Sequence, residues 1–188
     1  VKILAREFGF TLLLAVMIFT GCADNRHRLV VSVKDQRMLV LTDGKPVAEY
    51  KVSTSRFGTG DHEGSYATPL GHLRVCRKIG GGVPSGTVFK SRKPTGEVIP
   101  ANAPGRDPIV TRILWLDGQD AHNRNAFDRC IYIHGTPQEY LLGQPVSYGC
   151  IRMSSCDVLK VYDLVGRGAR VEIIDGPLST LSTMSSAF

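Results

Sequence analysis

Two short segments of this chain carry the residue types that nucleophilic catalysis needs. Ile131-Tyr-Ile-His-Gly-Thr136 ends an apolar run on a histidine. After ten intervening residues, Ser147-Tyr-Gly-Cys-Ile-Arg-Met153 sets a cysteine behind a glycine, with an arginine two residues further on. A thiol attacks as the thiolate, so it needs a base, and the tetrahedral intermediate needs hydrogen-bond donors. Cys150 is the candidate nucleophile and His134 the candidate base. Gly149 sets Cys150 on a turn just ahead of a predicted helix. That helix N-terminus is expected to lower the thiol pKa, and the N–H groups near Gly149 and Cys150 to hold the oxyanion. Ser147 is open to two roles, a hydrogen bond near the thiol or support of the turn. Arg152 is likewise open, to binding a substrate carboxylate or to bracing the turn through backbone carbonyls. The other histidines, His27, His62, His72 and His122, lie in polar surroundings or at a strand start.

The elements that must position these residues are mostly strands. Leu29–Val33, Arg37–Thr42 and Val47–Ser53 read as strands, with Asp43-Gly44 as a turn. His72–Arg77 and the strongly apolar Ile109–Leu116 follow, the latter holding the lone tryptophan, Trp115. Cys130–His134 is the strand that delivers the histidine. Side chains alternate across a strand, so Cys130, Tyr132 and His134 share a face, while Ile131 and Ile133 point to the core. Ser154–Val165 reads as the one main helix, capped by Ser154 or Ser155, with Val158, Leu159, Tyr162 and Val165 as its apolar stripe and Gly166 as its stop. Ala169–Ile174 is a last strand. Lys78–Pro108 is rich in Gly and Pro with little periodicity; a loop so long is expected to be functional or mobile, with a plain insertion left open, and its Lys90, Arg92 and Lys93 are candidates to meet substrate carboxylates.

The chain has 188 residues, enough for one domain with a single core. Its net charge is +6, which suits a polyanionic neighbour such as a cell wall or lipid headgroups as well as simple solubility. The basic residues are dispersed and no nucleic-acid motif occurs, so no nucleic-acid partner is expected. Residues 1–22 read as an export leader: Lys2 and Arg6, then an apolar run from Phe8 to Phe19, then Phe19-Thr-Gly-Cys22. That ending resembles a bacterial lipobox, which implies cleavage before Cys22 and a lipid on its sulfur; Phe19 departs from the usual Leu, so a plain signal peptide stays open. By analogy with lipoprotein sorting, Ala23 rather than Asp favours the outer membrane. The catalytic domain is expected over 23–175 and a frayed Ser/Thr-rich tail over 176–188. Of the five cysteines, 22, 76, 130, 150 and 156, Cys76 and Cys130 are the pair that neighbouring strands would favour. Reduced, buried thiols are the stronger expectation.

The paired segments, together with Thr68-Pro-Leu-Gly71 ahead of a strand, resemble the L,D-transpeptidase (YkuD) catalytic domain over about Leu29 to Ile174. The family's mark is a His-Gly-[Ser/Thr] strand end followed by Ser-x-Gly-Cys-[Ile/Val]-Arg. The resemblance implies a mostly β, sandwich-like fold with one main helix after the catalytic cysteine and a long Gly/Pro-rich loop. It implies that Gly135 offers its carbonyl to orient the imidazole, and that Tyr148 stands where histidine is common. A phenol can donate to an acyl oxygen but supplies no second imidazole. The implied reaction is attack of Cys150 on a peptidoglycan tetrapeptide stem, loss of D-Ala, and transfer of the acyl group to an amine. The alternatives are transfer to water, as in an L,D-carboxypeptidase, or a wall-binding lipoprotein without catalysis. The partners implied are stem peptides and, through Cys22, a membrane; no obligatory protein partner is expected, and neither metal nor cofactor is needed. A zinc set of Cys130, His134, Cys150 and Cys156 has the wrong spacings. A sortase-like site would want a Thr-Leu-x-Thr-Cys strand, which is absent.

Overall fold

The structure is a computed structural model that describes residues 23–180. The expected leader and Cys22 lie outside the described residues, as do residues 181–188.

The chain opens with a meander: β1 (His27–Ser32), β2 (Arg37–Thr42) and β3 (Lys45–Lys51). Asp43 and Gly44 turn between β2 and β3 with φ of 50° and 77°, the left-handed pair that a two-residue hairpin turn requires. β4 (Gly71–Ile79), β5 (Thr87–Lys90), β6 (Lys93–Val98), β7 (Ile109–Gly118), β8 (Tyr132–Gly135) and β9 (Ile151–Met153) follow. The helix α1 (Ser155–Leu164) and the strand β10 (Arg170–Ile174) complete the fold. The architecture is therefore mostly β with one main helix. Its strands form one continuous hydrogen-bonded sheet in the order β3-β2-β1-β10-β4-β7-β5-β6, and β8 pairs with both β7 and β9. β7 is thus a branch point, with β4 and β5 along one side and β8 along the other. β1 and β10 are parallel, as are β8 and β9.

Alternation along the strands sorts the core. Leu29 and Val31, Met38 and Val40, Leu73 and Val75, Leu114 and Leu116, and Ile133, Ile151 and Met153 all bury on one side, beneath Val158, Val161 and Val165 from α1. Each such side chain contributes roughly 1.5–3 kcal/mol by leaving water. α1 starts where expected because the Ser154 hydroxyl accepts from the Asp157 N–H at 3.0 Å. The Ser155 N–H is met by the Glu139 carboxylate at 2.8 Å. A smaller cluster, Phe89, Ile113, Trp115 and Tyr132, lies on the other face, with Cys150 packed against it.

Two expectations need correction. The segment 78–108 is not a plain loop: it contains the β5–β6 hairpin, with Val88 and Phe89 buried against β7. Its turn residues, Ser91 and Arg92, both hold positive φ (48° and 66°) without the Asn or Gly that marks such turns. Cys130 is not in the histidine strand. Its φ of 59° places it in a turn, and β8 begins at Tyr132. Cys76, Cys130, Cys150 and Cys156 are all free thiols. At the far end, Gly176 and Leu178 are tied to the β1–β2 connection: Ser32 Oγ donates to the Gly176 carbonyl at 2.8 Å and the Leu178 N–H to Asp35 at 2.7 Å.

Candidate active site

The parallel pairing of β8 with β9 sets Ile133 beside Ile151 and His134 beside Arg152. With a side-chain period of two, the core takes Ile133, Ile151 and Met153, and the opposite face carries Tyr132, His134, Cys150 and Arg152. His134 and Cys150 are therefore diagonal neighbours on one face. His134 Nδ1 lies 2.8 Å from the Gly135 carbonyl. A carbonyl only accepts, so Nδ1 carries the proton and Nε2 presents a lone pair. Gly135 has no room for a side chain: a Cβ there would sit 2.7 Å from the Val110 carbonyl and 3.1 Å from Thr111 Cβ. Those two residues belong to a bulge in β7, where the register shifts between Val110 and Ile113 opposite Gly135 and His134. Thr111 is buried there with φ of 71°, rare for a β-branched residue. Its hydroxyl accepts from the Gly86 N–H at 2.9 Å and shares a hydrogen bond with Ser155 at 2.7 Å.

Cys150 closes a tight turn. Gly149 holds φ of 114°, and its Cα faces the Ala67 carbonyl and Ile131 closely enough that a Cβ would lie 3.2 and 3.3 Å from them. The buried Ser147 hydroxyl donates to the Cys150 carbonyl at 2.6 Å and accepts from the Gly149 N–H at 3.2 Å. Of its two readings the geometry gives it the turn. The Gly149 N–H is thereby engaged, whereas the Cys150 N–H has no partner among the described residues. The thiol donates to the Cys130 carbonyl at 3.3 Å and accepts from the Tyr132 N–H at 3.4 Å.

The expected help from a helix N-terminus is absent. β9 separates Cys150 from α1, whose first N–H groups are met by Ser154 and Glu139. Burial instead pushes the Cys150 thiol up to about 11, against the pull of the Tyr132 N–H, Arg152 and Arg129. Burial also holds the His134 imidazole down at about 4, with the Gly135 carbonyl acting in the opposite sense. Both groups are neutral near pH 7, so the resting pair is thiol and imidazole rather than thiolate and imidazolium.

Arg152 is buried and pairs with the Asp107 carboxylate at 2.6 Å; backbone carbonyls are not its anchor. Asp107 also accepts from the Thr136 hydroxyl. It arrives from the end of the 99–108 segment and no spacing in the sequence marks it. Arg129 was equally unmarked: it forms a buried ion pair with Asp61 at 2.9 Å and donates to the Ala67 carbonyl at 2.6 Å, fixing the loop beside the cysteine turn. Arg92, at the β5–β6 turn, reaches the Tyr132 hydroxyl at 3.3 Å and lies over the Trp115 ring. Tyr148 is half exposed, and Arg56 stacks on its ring and donates to its hydroxyl. Cys156 is exposed on α1, away from the other proposed zinc ligands, and no cluster of three or more His, Cys, Asp or Glu is arranged around a metal position among the described residues.

The chain has relatives over most of its length. Residues 26–173 match the model of the L,D-transpeptidase catalytic domain (YkuD). A probable L,D-transpeptidase of Salmonella typhimurium, ErfK/SrfK, is 27% identical over 158 residues, covering 81% of this chain and 46% of that protein. The probable L,D-transpeptidase YcfS of Escherichia coli is 26% identical over 165 residues, covering 86% and 48%. The chain thus spans about half the length of these relatives. In fold, it superposes on an L,D-transpeptidase from Mycobacterium tuberculosis with a TM-score of 0.52 at 20% identity, covering 79% of this chain and 57% of that one. L,D-transpeptidase 3 of the same organism, solved with a faropenem-derived adduct, gives 0.52 at 22%, covering 79% and 60%. Because the family match takes in both motif segments and nearly every strand, the chain belongs to the L,D-transpeptidase catalytic-domain family.

Proposed function

We propose that the protein is a peptidoglycan L,D-transpeptidase with Cys150 as nucleophile and His134 as base. The observation that carries the reading is the tautomer of His134. Nδ1 is spent on the Gly135 carbonyl, so the one nitrogen left on the Cys150 face is a proton acceptor. The thiol leaves the Cys130 carbonyl and gives its proton to Nε2 as Sγ attacks the carbonyl of the third stem residue. Coupling proton transfer to attack avoids a standing ion pair in a site that keeps both groups neutral. The Cys150 N–H donates to the oxyanion. The C–N bond to D-Ala breaks, the imidazolium returns its proton to the leaving amine, and a thioester remains. An amine from a neighbouring stem then attacks the thioester, its proton passes to His134, and Cys150 regains a thiol. Gly135, Ser147 and Gly149 hold these groups in place, Arg152 braces the segment carrying Asp107, and Tyr148 borders the substrate path.

Incubation with purified tetrapeptide muropeptides and mass spectrometry of the products tests the reading. Cross-linked dimers are expected. Tripeptides alone would mean that water is the acceptor, and unchanged muropeptide would leave a wall-binding module. The same proposal places the protein outside the cytoplasm, held to the membrane by a lipid on Cys22. Metabolic labelling with a fatty-acid analogue should mark the wild type and not Cys22→Ala; an unlabelled wild type would reduce the leader to a plain signal peptide.

A further inference from the structure

We propose that Phe57, Tyr66 and Tyr148 form a sugar-binding platform for the glycan strand from which the reacting stem hangs; the idea rests on the peptidoglycan reading. The three side chains are 51%, 57% and 53% exposed. They touch one another, with ring centroids 5.6–6.0 Å apart. Large rings clustered at a surface mark a binding site more often than scattered ones do. The loop that carries two of them is fixed from beneath. Ser55 Oγ donates to the Tyr66 carbonyl at 2.5 Å and accepts from the Phe57 N–H at 2.9 Å. The backbone runs back on itself through Thr68 N–H to Gly58 at 3.0 Å and Gly60 N–H to Thr68 at 2.9 Å. Arg56 holds the Tyr148 ring by stacking over it and donating to its hydroxyl. The platform is thus formed before any ligand arrives, which spares the ordering cost of binding.

The chemistry of the occupant follows from what the platform and its surroundings offer. A tetrapeptide stem is built from small and charged residues and has nothing that would bury three aromatic rings. A pyranose has apolar C–H faces to lay on rings and hydroxyls around its edge. Beside the platform lies a cleft of about 520 Å³ lined by Glu63, Tyr66, Asn125, Asp128, Arg129 and Tyr148. Its carboxylates repel the acidic stem and accept hydrogen bonds from neutral sugar hydroxyls. Reach agrees as well. Tyr148 is two residues from Cys150, within about 7 Å along the chain, and the other rings extend the patch beyond it. The scissile carbonyl belongs to the third stem residue, so the sugar sits about 10 Å back along an extended stem.

Two substrates separate this platform from a peptide subsite. Phe57→Ala/Tyr66→Ala should lower kcat/KM for a disaccharide tetrapeptide about 10-fold, through KM, the scale of two lost aromatic contacts. The same variant should leave kcat/KM for the sugar-free tetrapeptide unchanged. Both rings are more than half exposed, so the fold should persist, as circular dichroism and the urea midpoint would report. Without any chemistry, peptide-free glycan strands should be retained by the wild type and about 10-fold less by the double variant. Equal losses on both substrates would make the patch a peptide site and overturn the proposal. So would a wild type that holds stripped glycan no better than the variant. A wild type inert on both substrates would defeat the transpeptidase reading alone, since glycan retention still decides this one.

Discussion

Cys150 and His134 share one design: His134 is buried and Cys150 partly buried, and that burial keeps each neutral. The consequence for catalysis is that neither group can be replaced by a weaker partner. A serine hydroxyl needs a stronger base than an imidazole whose Nδ1 is held by a carbonyl rather than a carboxylate. Cys150→Ser should therefore lose at least ~10²-fold in turnover with the fold intact, measured on muropeptides beside a circular dichroism control; activity above about a tenth of wild type would remove Cys150 from the role. A carbapenem offers a second readout, because its strained lactam carbonyl is open to the same thiolate. Intact-mass spectrometry should show one adduct, absent in Cys150→Ala. His134→Ala should slow adduct formation steeply at neutral pH and recover in part towards pH 11, where the thiol, pushed up to about 11 by burial, ionises without help. An adduct on Cys130, or wild-type rates in His134→Ala, would break the assignment.

At the scale of elements, the site depends on strand β8 lying tight against the bulge in β7. Gly135→Ala puts a methyl 2.7 Å from the Val110 carbonyl, a backbone atom that cannot step aside alone. The strand must shift and take His134 with it. We expect a stability loss of about 1–3 kcal/mol and a fall in the carbapenem acylation rate larger than the stability loss accounts for; wild-type acylation in a stable variant would show that the close approach is incidental. This dependence was invisible in the sequence. His134 at the end of an apolar strand and Ser154 ahead of a helix were both legible, because apolar alternation and capping are local signals. The β5–β6 hairpin was not, since Ser91 and Arg92 occupy positive-φ positions without the residues that announce them. Asp107 escaped notice because its partner Arg152 is 45 positions away in sequence and close only in space. The direction of the Cys150 shift was misread because burial is set by the whole fold, and because β9 intervenes before the helix.

For the whole molecule, the same two groups shape stability against pH. The His134 pKa is depressed by folding from 6.5 to about 4, so the unfolded chain binds a proton first as pH falls. Stability from this group is complete above pH 6.5 and drains away down to pH 4. The Cys150 pKa is raised from 9.0 to about 11, so its contribution is complete below pH 9 and drains away up to pH 11. Each is on the order of 3 kcal/mol. Urea midpoints should form a plateau between these limits. His134→Gln should flatten the acid limb and Cys150→Ala the alkaline one. Unchanged limbs in both variants would mean that the two groups are far better solvated than their burial indicates.

The place of β10 in the sheet has a consequence for how the molecule comes into being. Among the described strands, β1, β2 and β3 join the ladder of the remaining sheet through β10, which is inserted between β1 and β4. β1 must therefore wait, unpaired along one edge, for the last strand described to emerge. The bridges just past β3, Ser53 with Arg152 and Ser55 with Ser147, also wait for late residues, and contacts of such long sequence separation form late. Assembly is thus timed by the arrival of residues 170–174, after Cys150 itself has been synthesised. Under the proposed function, Cys150 lacks its finished scaffold until synthesis has passed beyond it, and activity begins only once β10 has docked.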